Sequence, residues 1–193
     1  MVGAALLAGG ESRRMGQDKN LLPFGAETFQ THIAAQLADF PERLLSIGAQ
    51  SYHLPGFTSV PDLLPGRGPL GGLFSLLSFC RSEALLVGPC DVPLFSGELA
   101  HFLARSLTPE WEAVVPVTRD GREHPACGVY RKTVLPGLQA RLESGDSRMY
   151  AFLASLRTCR VCLQDTPFPD RCLTNVNTPQ AYAALLEEAH LSS

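Results

Sequence analysis

The chain opens on an apolar run, Val2-Gly3-Ala4-Ala5-Leu6-Leu7-Ala8, that stops at two glycines and gives way to a cluster of charged residues. Because apolar and polar residues do not alternate in it, a strand made from this run must be covered on both faces, the condition of a parallel sheet lying between helices. A sheet with one wet face is disfavoured. No basic segment precedes the run and Arg13, Arg14, Asp18 and Lys19 follow it, so it reads as a buried strand and not as an export signal. Nowhere does an apolar stretch reach the roughly 18 residues that a membrane helix needs, and the expected setting is the cytoplasm, with no membrane partner.

The rest of the chain continues the alternation of strand and helix. Residues 28–40 have amphipathic spacing behind a threonine cap, residues 44–47 and 58–60 read as short strands, and residues 70–79 as a helix after a Gly-Pro-rich turn. Residues 84–87 form a further buried strand ending at Gly88-Pro89, and Ser96 caps a helix running to about residue 106. The pattern then changes, because residues 113–117 and 123–130 are extended segments around Arg119-Asp120-Gly121-Arg122, a hairpin signal. Helices near 133–142 and 147–156, a strand near 159–163 and a last helix after Pro179 complete the reading. It predicts one domain over residues 1–193, a three-layer α/β/α sandwich whose mostly parallel sheet carries an antiparallel addition.

Composition narrows the partners. A net charge of −3 leaves no broad basic surface for a nucleic-acid backbone, so any anion must be met locally. Six cysteines in a chain of 193 residues without an export signal point to reduced thiols. The single C-x-x-C, Cys159 to Cys162, lacks the second pair that would complete a zinc site and reads as small buried side chains on a late strand.

In open α/β sheets, ligands sit beyond the carboxyl ends of the strands. Two loops there draw the eye. Leu7-Ala8-Gly9-Gly10-Glu11-Ser12-Arg13-Arg14-Met15-Gly16-Gln17-Asp18-Lys19 leaves the first strand with paired glycines, whose bare backbone lets amides approach a ligand, and then supplies cations. That combination suits a polyphosphate, although it is neither a P-loop nor a G-x-G-x-x-G turn. Asp91, in Cys90-Asp91-Val92-Pro93, follows the buried strand that ends near Val87, where one carboxylate can share a Mg²⁺ ion with substrate phosphates, or can act simply as a turn former. Asp62 stands ahead of Gly66-Arg67-Gly68-Pro69-Leu70-Gly71-Gly72, a tight loop running into a helix start, and by itself reads as a turn former. Asn175 and Asn177 flank Val176 before Thr178-Pro179, and both can face a ligand if Val176 packs inward. Thr178 is the candidate cap and Pro179 the first helical residue.

The opening loop, L-A-G-G-x-S-x-R-M-G-x-D-K, resembles the signature of the molybdenum cofactor guanylyltransferases, within the wider Rossmann-like nucleotidyltransferases. The similarity continues in order through Asp62 with Gly-Pro-Leu-Gly-Gly, Cys-Asp-Val-Pro, Arg122-Glu123-His124-Pro125 and Asn-Val-Asn-Thr-Pro. It implies a nucleotide seated by Leu7, Ala8, Gly9 and Gly10, phosphates met by Arg14 and Lys19, Mg²⁺ on Asp91, Asp62 at the nucleotide, and the glycine loop with Gly71 beside the guanine. Gly71 stands where the family more often has alanine, which suggests a looser loop. On the acceptor side the resemblance implies His124, Arg148, Asn175 and Asn177, with a structural histidine and a surface arginine as the plain alternatives. The implied reaction is transfer of GMP from GTP to molybdopterin or the molybdenum cofactor. Cofactor-insertion proteins or molybdoenzyme chaperones are its implied protein partners. A cytidylyltransferase acting on the same pterin, or a nucleotide-binding regulatory module, are the alternative functions.

Overall fold

The structure is a computed structural model that describes residues 1–8, 22–48 and 53–191. Its centre is a seven-stranded sheet in the order β5-β4-β1-β6-β8-β7-β9. The strands are β1 (Val2–Leu7), β4 (Arg43–Gly48), β5 (Thr58–Pro61), β6 (Ala84–Pro89), β7 (Ala113–Val117), β8 (Val129–Arg131) and β9 (Thr158–Cys162). The two-residue strands β2 (Pro23–Phe24) and β3 (Glu27–Thr28) pair separately as a small hairpin around Gly25, whose φ of 62° lies in the left-handed region. Within the large sheet β8 alone runs antiparallel to its neighbours, and the other pairings are parallel.

Both faces of the sheet are covered, as the apolar runs require. Successive side chains of a strand point to opposite faces. Ala4 and Leu6 of β1, Leu86 of β6 and Val114 of β7 pack with α1 (Phe29–Gln36) and α3 (Gly97–Arg105). Ala5, Leu7, Leu85, Val87, Ala113 and Val115 pack with α2 (Gly68–Phe79), α4 (Leu135–Glu143) and α5 (Met149–Leu153). The result is the three-layer sandwich read from the sequence. The last helix, α6 (Pro179–Leu191), joins a third, smaller cluster with Leu22, Phe29 and Val176.

Four local readings needed correction. The helix expected over 28–40 ends at Gln36, because the Leu37 amide turns back to the carbonyls of Ala34 and Ala35. Leu37 and Phe40 are buried from the turn that follows. The extended segment expected over 123–130 is broken by a 3₁₀ turn at Pro125–Cys127. If the Val114↔Val129 register continued, Val117 would face Ala126, but it faces Glu123, and Pro125 has no N–H to give a ladder. The later helices are shorter than expected, α4 being preceded by a 3₁₀ turn at Lys132–Val134. Finally, Cys159 and Cys162 are half-buried free thiols, because β9 is an edge strand and one of its sides lacks a neighbour.

Candidate nucleotide and acceptor site

The chain path singles out one crevice. From β1 the chain moves outward to β4 and β5, and α2 then carries it back over the sheet to β6 on the other side of β1. The strand order therefore reverses between β1 and β6, and such a switch point opens a crevice at the strands' carboxyl ends. Leu7 of β1 is level with Pro89 of β6. From these neighbouring ends emerge the opening loop and the Asp91 loop.

On the β1 side, Leu7 and Ala8 are buried, and the Ala8 amide donates to the Ser46 carbonyl at 3.2 Å. The Leu7 side chain belongs to the core under α2, which leaves only its backbone for a ligand. Gly9, Gly10, Arg14 and Lys19 lie outside the described residues.

Next to this strand end sits Asp62, just past β5. The Ser46 hydroxyl donates to its carboxylate at 3.5 Å. Burial pushes the Asp62 carboxyl above the usual carboxylate range, and the Ser46 hydrogen bond opposes that shift. The first turn of α2 lies close by. A Cβ on Gly72 would come within 2.8 Å of the Leu7 side chain and 3.2 Å of the Ser46 hydroxyl. Glycine here lets the helix start rest directly on the ends of β1 and β4. Gly71 corrects the expectation of a looser loop, because it is buried in the first turn of the helix. A Cβ there would lie 2.7 Å from the Arg67 Cβ and 3.1 Å from the Leu64 carbonyl, so the missing methyl group tightens the turn. The Ser75 hydroxyl then links the two halves, donating to the Gly71 carbonyl and accepting from the Leu63 amide, both at 2.9 Å.

The other side of the crevice gathers around Asp91. The Val176 amide donates to the Asp91 backbone carbonyl at 2.7 Å. That bond brings the Asn175-Val176-Asn177 segment against the Asp91 loop, although the two are far apart in sequence. Val176 is 1% exposed, and it packs inward as the two-asparagine reading requires, with Asn175 exposed and Asn177 half-buried. The Thr178 hydroxyl accepts from the Ala181 amide, so it caps α6, with Pro179 at the first helical position.

Cys127 adds a neighbour that sequence reasoning missed. Its thiol is pushed well above its ordinary range by complete burial and by the charge of Asp91, so it stays protonated at neutral pH. The carboxylate oxygen that Asp91 offers at this strand end therefore has no Cys127 thiolate beside it. Such a hard donor fits Mg²⁺, which takes oxygen ligands and shares its shell with phosphates and water. Among the described residues no group of three or more His, Cys, Asp or Glu side chains could hold a metal ion.

Cys127 ends the 3₁₀ turn that begins after His124, and its amide donates to the His124 carbonyl at 2.9 Å. The hydroxyl of fully buried Tyr130 donates to the Pro125 carbonyl at 2.6 Å and holds this turn from within the core. Burial and then the Arg122 charge lower the His124 pKa, against Asp120 and Asp170, so the ring is neutral at pH 7. Its Nε2 lies 3.4 Å from the Thr118 hydroxyl. Arg148 sits at the start of α5, paired with Asp146 at 2.9 Å and largely exposed. The Tyr150 hydroxyl donates to the Glu123 carbonyl at 2.9 Å and ties α5 to the hairpin that bears His124.

Asp91, Asn175, Asn177 and the turn after His124 are thus drawn together, Asp62 and Gly71 pair on the far side of β1, and Arg148 stays with Asp146. Strands β5 and β6 lie three strand spacings apart, roughly 14 Å. A separation of that order argues against a single ion shared by Asp62 and Asp91. Ser46 and Cys127 carried one signal each: a polar residue near the end of an apolar strand, and a thiol just after a His-Pro turn.

Residues 4–175 match the MobA-like NTP transferase domain family. A probable molybdenum cofactor guanylyltransferase of Carboxydothermus hydrogenoformans is 31% identical over 189 residues, covering 95% of this chain and 94% of that protein. A molybdenum cofactor guanylyltransferase of Vibrio cholerae is 32% identical, over 92% of this chain and 88% of its own. Among solved structures, molybdopterin-guanine dinucleotide biosynthesis protein A from Archaeoglobus fulgidus superposes with a TM-score of 0.81 over 98% of this chain and 99% of that one. Its identity of 18% makes this a likeness of fold. The chain belongs to the MobA-like NTP transferase domain family, and it is a nucleotidyltransferase.

Proposed function

We propose that the protein transfers GMP from GTP to the terminal phosphate of molybdopterin or the molybdenum cofactor, forming the guanine dinucleotide of the cofactor and releasing pyrophosphate. The observation that carries this reading is the Val176–Asp91 backbone hydrogen bond, which sets a segment with two amide side chains against a residue whose carboxylate suits a phosphate-bound cation. Relatives at 31% and 32% identity that are named molybdenum cofactor guanylyltransferases support guanine and the pterin as partners.

The acceptor is a phosphate monoester whose second pKa is near 6, so it is largely dianionic at pH 7 and needs no side-chain base. One acceptor oxygen forms a bond to the α-phosphorus of GTP as the bond to the bridging oxygen of pyrophosphate breaks. The protein's task is then alignment and charge compensation. Asn175 and Asn177 orient the acceptor, Asp62 and the Gly71 turn take the guanosine end, and Arg14 and Lys19 offset charge on the phosphates. Asp91 would hold the Mg²⁺ ion, which when bound neutralises phosphate oxygens.

The decisive experiment offers the purified protein, with Mg²⁺ and molybdopterin, each of GTP, CTP, ATP and UTP, and follows pyrophosphate release. GTP should be preferred by at least about tenfold in kcat/KM, a difference of ~1.4 kcal/mol in transition-state binding. A preference for CTP would overturn the guanylyl assignment.

A further inference from the structure

The third hydrophobic cluster is too small to be a core of its own, but it lies between the parts of the site. Leu22, where the chain leaves residues 9–21, packs there with Phe29 of α1, Val176 between the two asparagines, and Leu185 of α6, with Leu94 of the Asp91 loop against its edge. Leu22 is 2% exposed and Phe29 is fully buried. The Phe29 amide closes the β2–β3 hairpin on the Leu22 carbonyl at 2.9 Å. Across the cluster comes Tyr182 from α6, one turn after the Thr178 cap. Its ring meets Phe29 edge-on at 5.7 Å, and its hydroxyl donates to the Pro23 carbonyl at 2.8 Å. Proline cannot donate, so β2 offers a carbonyl at this position with no amide beside it to compete.

We propose that Tyr182 is a positioning residue of the transfer reaction, its hydroxyl locking the hairpin that follows residues 9–21 to the helix that follows the proposed acceptor asparagines. The chain enters residues 9–21 from Ala8, tied to Ser46, and leaves them at Leu22, tied through Phe29 and Tyr182 to α6. The Val176–Asp91 bond holds the asparagine segment in turn. The hairpin that begins at Leu22, the asparagine segment and the Asp91 loop therefore share one frame, and the Tyr182 hydroxyl is one of its polar links. An alignment of this kind acts on the transition state more than on the bound substrates.

This inference rests on the proposed transfer reaction, so the test pairs a kinetic readout with one that needs no turnover. Tyr182→Phe keeps the ring against Phe29 and removes the hydroxyl. It should lower kcat by about three- to tenfold, the scale of one hydrogen bond. The KM for the nucleotide should stay within about twofold, and Tm within about 2 °C. Hydrogen exchange at the Phe29 amide should quicken by a similar factor of about three to ten, with or without Mg²⁺ and GTP. Tyr182→Leu, which also loses the ring contact, should lower Tm as well and so separates packing from the hydroxyl. Wild-type kcat in Tyr182→Phe, or a change confined to KM and Tm, would show a purely structural tyrosine. If the wild-type chain releases pyrophosphate with none of the four nucleotides, the transfer reading fails. Exchange at Phe29 then decides the lock alone, with wild-type exchange in Tyr182→Phe refuting it.

Discussion

At the scale of single residues, the site divides its work between backbone and side chain. The Asp91 carbonyl accepts from the Val176 amide, and its carboxylate is the group proposed to hold the cation. Asp91→Asn keeps the carbonyl and the side-chain volume and removes the charge. We expect kcat to fall by about 100-fold or more while Tm moves by less than about 2 °C, read by pyrophosphate release and thermal denaturation. Activity near the wild-type value at ordinary Mg²⁺ would remove Asp91 from the cation's binding. Asp91, Asn175 and Asn177 were legible in the sequence because each stands in a short string of consecutive residues. Ser46 and Tyr182 were not, since their partners lie 16 and 159 positions away.

Among the elements, strands were the easier reading. Apolar runs closed by glycine or proline mark β1 and β6, where burial on both faces leaves one pattern available. Helix ends and short hairpins depend on contacts. The 37–39 turn keeps the apolar spacing of a helix because Leu37 is buried anyway, and two-residue strands such as β2 and β3 are too short to show a period. Helix packing supplies a test. A Cβ on Gly97, the first residue of α3, would sit 2.6 Å from the backbone carbonyl of Gln36, the last residue of α1. Replacing glycine by alanine within a helix gains up to about 1 kcal/mol, but overpacking against backbone costs about 1–3 kcal/mol, so the clash prevails. Gly97→Ala should lower Tm by about 2–6 °C in thermal unfolding. An unchanged or higher Tm would mean that the two helices slide apart at little cost.

For the whole molecule, a stabilising clip sits at the end of the sheet opposite the proposed site. At the amino-terminal edge, Glu42 accepts from the amides of Arg81 and Ser82 and from the Ser82 hydroxyl, while its own carbonyl accepts from Ala4, so β1, β4 and the start of β6 are clipped together. Burial raises its pKa, but the Ser82 hydroxyl and the two amides outweigh that, and the net shift is downward. A lowered carboxyl pKa adds stability above the unfolded value near 4.5 and loses it as pH falls through the folded pKa. Glu42→Gln should therefore lower Tm at pH 7 by a few degrees, about 3 °C, with kcat unchanged. The deficit should shrink steadily below pH 4.5 in calorimetry, and a deficit independent of pH would refute the charge assignment. The layered α/β class, the strand that opens the chain and the family motifs followed from the sequence alone, because burial and turn chemistry are local demands that consecutive residues must meet. The tertiary structure decided which strand ends became neighbours. It set Asp62 and Asp91 on opposite sides of β1, brought the asparagines to Asp91, and gave Tyr182 its place across the small core. Strand order and long-range contact depend on how α2 and α6 pack back over the sheet, and no short run of residues encodes that path.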